Sequence, residues 1–140
     1  MMKEEELQAF LAKPNDAIIA VNRAGKGAQL TPVWFVWDGE TFYFSTGKAT
    51  AKYTNMKRDP NISLIINDQA AHAFVTAHGS AHILEGDKIN PKILGSILEK
   101  YIPDEEQRKQ FIAMMETRPS YERIVVALHP EKIYSIQMPG

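Results

Sequence analysis

Apolar and polar residues alternate over short stretches through most of the chain and give way elsewhere to helical spacing. Glu4 to Leu11 sets Leu7, Phe10 and Leu11 at helical intervals behind three glutamates that favour a helix start. Lys13-Pro14-Asn15-Asp16 breaks it, and the β-branched run Ala17 to Val21 predicts a buried strand. After the turn residues Arg23 to Gly27, Gln29 to Trp37 reads as a second strand that is apolar on both faces, so both faces need cover. Asp38-Gly39 predicts a hairpin, because glycine accepts the positive φ of a tight turn, and an aromatic third strand returns from Thr41. Lys48 to Asp59 is expected to be helical and to stop at Asp59-Pro60-Asn61. Ile62 to Ile66 and Phe74 to Leu84 follow as strands, the second with Gly79 as a candidate bulge. Two apolar stripes, Ile93-Leu94-Ile97-Leu98-Tyr101 and Phe111-Met114-Met115, predict two helices parted at Ile102-Pro103-Asp104. Ile124 to Leu128 and Ile133 to Ile136 are read as two closing strands around His129-Pro130-Glu131.

Many short antiparallel strands with helices at the periphery imply a mainly β, α+β architecture, and a small barrel rather than an alternating α/β sheet. No repeat or linker divides the 140 residues, so one domain over residues 1–140 is expected. A net charge of −1 offers no basic excess for a nucleic acid backbone. The absence of cysteine excludes disulfides and thiolate chemistry. No basic, apolar and small-residue leader opens the chain, and no apolar run reaches the roughly 20 residues of a membrane span. A cytoplasmic protein with no membrane partner is therefore expected.

The densest candidate chemistry lies where the aromatic strand enters the predicted helix, at Ser45-Thr46-Gly47-Lys48-Ala49-Thr50-Ala51-Lys52. Hydroxyls and ammonium groups at a helix N-terminus, with its unpaired N–H groups and partial positive charge, suit a phosphate. A capped surface helix with solvated lysines is the plainer reading of the same residues, and neither nucleotide-loop glycine fingerprint is present. His78 and His82 share one strand face but stand roughly 13 Å apart at about 3.3 Å per residue, too far for one ion, so no metal site is expected. Glu4 to Glu6 and Asp104 to Glu106 read as helix-start charges, and no serine sits in a nucleophile elbow.

Pro32-Val33-Trp34-Phe35 with Asp38-Gly39, Phe44-Ser45-Thr46-Gly47, and Ala51-Lys52 with Asn55 to Pro60, in that order and spacing, resemble the flavin- and deazaflavin-binding split β-barrel family. These are relatives of pyridoxamine 5′-phosphate oxidase, and the resemblance is closest to the branch that includes users of the deazaflavin coenzyme F-420. It implies a six- to seven-stranded antiparallel split β-barrel and a homodimer with the cofactor between subunits. By the same resemblance Lys52 is a phosphate ligand, with Ser45, Thr46 and Thr50 as hydroxyl or backbone partners and Lys48 either on the same anion or in solvent. Thr31, Pro32, Val33 and Trp34 would supply the ring with an apolar wall and main-chain donors. Many relatives carry an arginine two residues before that lysine, where this chain has Thr50. The implied function is an FMN-dependent oxidoreductase, or one using F-420, that passes a hydride to a small conjugated or heterocyclic substrate. The resemblance assigns no catalytic residue. A flavin or haem carrier on the same barrel is the alternative. FMN is placed ahead of the deazaflavin, whose oligoglutamate tail would ask for further cations such as Lys13, Lys26, Lys48, Lys57 and Arg58. Oxidases acting on pyridoxamine phosphate itself are usually longer and end in an arginine-rich segment, unlike Ile133 to Gly140 here, so the substrate stays unassigned.

Overall fold

In the computed structural model, which describes residues 1–118 and 122–139, the alternating segments become strands β1 (Ala17–Val21), β2 (Gln29–Val33), β3 (Phe35–Trp37), β4 (Phe42–Gly47), β5 (Asn61–Asp68), β6 (Ala73–Leu84) and β7 (Arg123–Gln137). They form one seven-stranded antiparallel sheet in the order β2-β1-β5-β6-β7-β4-β3. The helices are α1 (Glu4–Ala12), α2 (Ala51–Arg58), α3 (Pro91–Tyr101) and α4 (Glu105–Glu116). The two edge strands, β2 and β3, are consecutive in the chain with only Trp34 between them. A sheet whose opposite edges are tied by one residue has to curl almost closed, and the seam of this split barrel lies at Trp34. Inside the curl are Ile19, Phe35, Phe42, Phe44, Ile66, Val75, Ile124 and Leu128, all essentially inaccessible to solvent.

Three boundaries differ from expectation for physical reasons. The single run Gln29 to Trp37 is two strands, because its first half pairs with β1 and its second with β4, and one straight strand cannot serve both ends of the sheet. Pro32, which lacks an N–H, sits on the edge strand β2, where no second ladder needs that donor. The two closing strands are one, since β7 runs unbroken through Pro130. A register shift there moves the partner from Lys132 at His78 to Pro130 at Gly79, so the bulge absorbs the proline. The second helix starts at Ala51 rather than Lys48, with Thr50 as its N-cap: the Thr50 hydroxyl accepts from the Tyr53 N–H and donates to the Gly47 carbonyl.

The free edge of β3 is covered by the last turn of α3. Lys100 Nζ donates to the carbonyls of Leu11 (2.8 Å) and Phe35 (2.9 Å) and lies 3.6 Å from the centre of the Phe35 ring. Burial pulls its pKa down to about 8 from an ordinary 10.5. Between these values the unfolded chain holds a proton that the folded chain has shed, so this group adds stability as pH rises through that window. Lys100→Met is expected to lose about 1–3 kcal/mol near neutral pH by stranding the two carbonyls. Urea unfolding should then show its deficit against wild type growing between pH 7.5 and pH 10; a constant deficit would mean that Lys100 titrates normally.

Candidate functional site

A cleft of about 720 Å³ opens beside the seam. Its size is that of a site for a cofactor-sized molecule. Strand β4 delivers Ser45, Thr46 and Gly47 to it, the start of α2 delivers Thr50 and Lys52, and the seam delivers Pro32, Val33 and Trp34. These lie together because Gly47 pairs with Arg123 across the β4–β7 ladder, which adds the Arg123 side chain to the same end. Arg123 Nε donates to Ser45 Oγ at 2.9 Å, and Ser45 Oγ in turn donates to the Ile124 carbonyl at 3.0 Å. The Ser45 hydroxyl proton is thus spent on the backbone, and the side chain holds Arg123 in place.

Lys52 is half-buried and, among the described residues, has neither a hydrogen bond nor a carboxylate partner. Burial lowers its pKa first, and the charge of Arg123 lowers it further. Burial also lowers that of Arg123. Two cations are therefore held close and partly desolvated, which disfavours their charged forms. The buried Thr46 has no side-chain hydrogen bond among the described residues and lines the same end. An Arg fork, an ammonium and a hydroxyl make a donor set that fits a phosphate.

Lys48 stands elsewhere. Its ammonium meets Glu85 at 3.2 Å and Glu122 at 3.9 Å, and it is not among the residues lining the cleft. The Glu85 hydrogen bond, followed by the charge of Glu122, raises its pKa. Tyr53 donates to the same Glu85 oxygen at 2.8 Å, which ties the turn before α2 to the end of β6. Thr31 also lies outside the lining, paired with Ile19 in the β1–β2 ladder.

The opposite wall comes from the two helices: Leu94, Ile97 and Leu98 of α3 and Phe111, Ile112 and Met115 of α4. Trp34 stacks on Tyr101 with ring centres 5.0 Å apart and planes 6° from parallel, and meets Phe111 at 5.6 Å. Asp16 and Glu116 add two carboxylates to the lining. The sequence assigns the Asn90 to Thr117 helices to the substrate entrance or the dimer edge without separating the two, and it singles out neither Arg123 nor Asp16 for the site. Arg123 had no local signal, since only the long-range β4–β7 register brings it to the cleft.

Among the described residues no group of three or more His, Asp or Glu side chains is placed to hold a metal ion. The register brings His82 not to His78 but to His129, with ring centres 5.2 Å apart, and His129 Nδ1 shares a 2.9 Å hydrogen bond with the Thr41 hydroxyl. No helix among the described residues is long and apolar enough to cross a membrane.

The whole curled sheet recurs in solved structures. A conserved protein, Rv2991 of Mycobacterium tuberculosis, superposes with a TM-score of 0.80 at 23% identity, covering 100% of this chain and 91% of its own. An F420 reductase gives a TM-score of 0.68 at 18% identity over 91% of this chain and 94% of its own. The flavocytochrome Anf3 of Azotobacter vinelandii gives 0.73 at 16% identity over 100% of this chain and 69% of its own. At these identities the likeness is one of fold. No curated protein matches the chain in sequence. Residues 3–137 do match the pyridoxamine 5′-phosphate oxidase family, whose split barrel this sheet reproduces, and the chain belongs to that family.

Proposed function

We propose that the cleft holds FMN and that the protein is a flavin-dependent oxidoreductase passing a hydride to a small conjugated or heterocyclic substrate. The observation that carries this reading is the Lys52–Arg123 pair: two partly desolvated cations beside the Thr46 hydroxyl, at one end of a cleft that is otherwise mostly apolar. The flavin ring, when bound, supplies the hydride chemistry, so the protein has to bind, orient and exclude water rather than furnish an acid or base. Lys52, Arg123 and Thr46 would hold the phosphate. Pro32, Val33 and Trp34 would flank the ring, and the helical wall would close the face on which a flat substrate approaches.

FMN is favoured over the deazaflavin coenzyme by the charges around the cleft. None of Lys13, Lys26, Lys48, Lys57 and Arg58 lines it, while Asp16 and Glu116 do. Lys13 is paired with Asp68 at 3.2 Å and Lys48 with Glu85 at 3.2 Å, leaving little to receive an oligoglutamate tail.

The homodimer belongs to the same proposal. Cross-strand partners Pro32, Ile18, Ile65, Thr76 and Tyr134 form one row over the outer face of the sheet. Leu30 (67% exposed), Ile65 (37%) and Tyr134 (46%) leave that face apolar and open. A second copy seated on it would reach the rim of the cleft at Pro32, which belongs to both surfaces.

Titration of the apoprotein with FMN and with the deazaflavin coenzyme, followed by absorbance, tests the reading, with sedimentation equilibrium on the same sample. Micromolar or tighter binding of FMN, weaker binding of the deazaflavin, and a mass twice the 15.8 kDa of the chain are expected. Reduction of the bound flavin by NAD(P)H and reoxidation by an organic acceptor would mark an enzyme; a flavin that never cycles would mark a carrier. Binding of neither cofactor would overturn the proposal.

A further inference from the structure

Where β2 gives way to β3, the sheet leaves the peptide around Trp34 without a ladder partner. Trp34 pairs with neither β1 nor β4, and the backbone N–H and C=O of its neighbour Phe35 turn off the free edge of β3. Two adjacent side chains at the end of α3 take both groups. The Phe35 N–H donates to Tyr101 Oη at 3.3 Å, and Lys100 Nζ donates to the Phe35 carbonyl at 2.9 Å. Their remaining bonds reach the end of α1 and the segment that enters β1: Lys100 Nζ donates to the Leu11 carbonyl at 2.8 Å, and Tyr101 Oη to the Asn15 carbonyl at 2.7 Å. The roles of the Tyr101 hydroxyl are fixed by chemistry, because a carbonyl can only accept and an N–H can only donate.

We propose that Tyr101 and Lys100 are positioning residues for the cofactor ring, acting through Trp34. The inference rests on the flavin reading of the cleft. Tyr101 touches the Trp34 wall twice, by stacking on the indole with the planes 6° from parallel and by fixing the peptide that follows it. It also closes the apolar stripe of α3 that begins at Leu94 and continues through Ile97 and Leu98, all three of which line the cleft. Anchoring Tyr101 therefore sets the depth of the helical wall and the tilt of the indole together. A ring seated in the cleft is bordered by both, and their relative placement depends on this one hydroxyl and the neighbouring ammonium.

Tyr101→Phe tests this, since it keeps the stack and removes only the hydroxyl bonds. Dissociation constants for FMN and for riboflavin, which lacks the phosphate, are measured below the melting transition, with the visible spectrum and reduction potential of the bound flavin. Both constants are expected to rise together, by about tenfold, for the loss of a ring-positioning contact. The bound-flavin absorption bands and potential should shift as well. A role confined to stability would lower the melting temperature and leave the spectrum, the potential and both constants unchanged, which would overturn the inference. Should Tyr101→Phe not fold, Lys100→Met, which frees only the carbonyl side, is read by the same criteria. If the wild-type chain binds neither flavin, the cofactor reading and this inference fall together; if it binds both and the variant is indistinguishable, only the inference falls.

Discussion

Replacing Lys52 and Arg123 together by alanine is expected to raise the dissociation constant for FMN by about a thousandfold while leaving that for riboflavin nearly unchanged. Each cation is expected to contribute about 1.5–3 kcal/mol of charge-assisted hydrogen bonding to a phosphate, so each single variant should lose roughly ten- to a hundredfold. Riboflavin separates the phosphate contact from everything else the cleft does. Equal losses for both flavins would show that the pair acts on the ring or on the fold instead. The unliganded Lys52→Ala single variant should be at least as stable as wild type. Lys52 is held below its ordinary pKa by burial and by Arg123, so its charge opposes folding until an anion is bound, and removing it relieves that opposition. Lys52→Arg, which keeps the charge, should recover part of the FMN affinity.

Gly79→Ala is expected to lower stability by about 3 kcal/mol or more, at the upper end of overpacking effects. A methyl at this position would run into the backbone carbonyl of His129 and come within 3.2 Å of Pro130 Cα and Leu128 Cδ1. The nearest of these neighbours, the His129 carbonyl, is main chain of the bulge that lets β7 pass Pro130, so the clash cannot be relieved by a side-chain rotation. Thermal unfolding should fall on the order of 10 °C for a chain of this size. Gly95→Ala is a fitting control, because a methyl there meets no atom within 4 Å and the residue lies inside α3, where alanine is the better helix former. A Gly79→Ala melting point within a degree or two of wild type would refute the account of the bulge.

The periodic segments were legible because alternation and helical spacing are local. β1, β5 and β6 and the paired helices α3 and α4 follow directly from apolar residues at the right intervals. What the sequence left unresolved was where one strand changes partners. Gln29 to Trp37 carries one continuous apolar run, and nothing local says that its ladder moves from β1 to β4 after a single residue. The cleft divides along the same line. Ser45, Thr46, Thr50, Lys52 and Pro32 to Trp34 were named from local chemistry and resemblance, and all line it. Arg123 lies 71 positions beyond Lys52 and was invisible, because the β4–β7 register alone brings it there. Lys48 stood out as a cation near a helix start, yet Glu85, 37 residues further on, takes up its charge.

The seam at Trp34 also bears on what happens between molecules. An open sheet offers the backbone groups of its two outermost strands to any extended chain it meets, which is how strand-to-strand aggregation begins. Here one outermost strand carries Pro32, which breaks the row of donors, and the other is three residues long with its Phe35 groups already taken by Lys100 and Tyr101. The features that frame the cleft thus also deny a template to intruding strands, and neither edge of the described sheet presents a long open row of backbone groups.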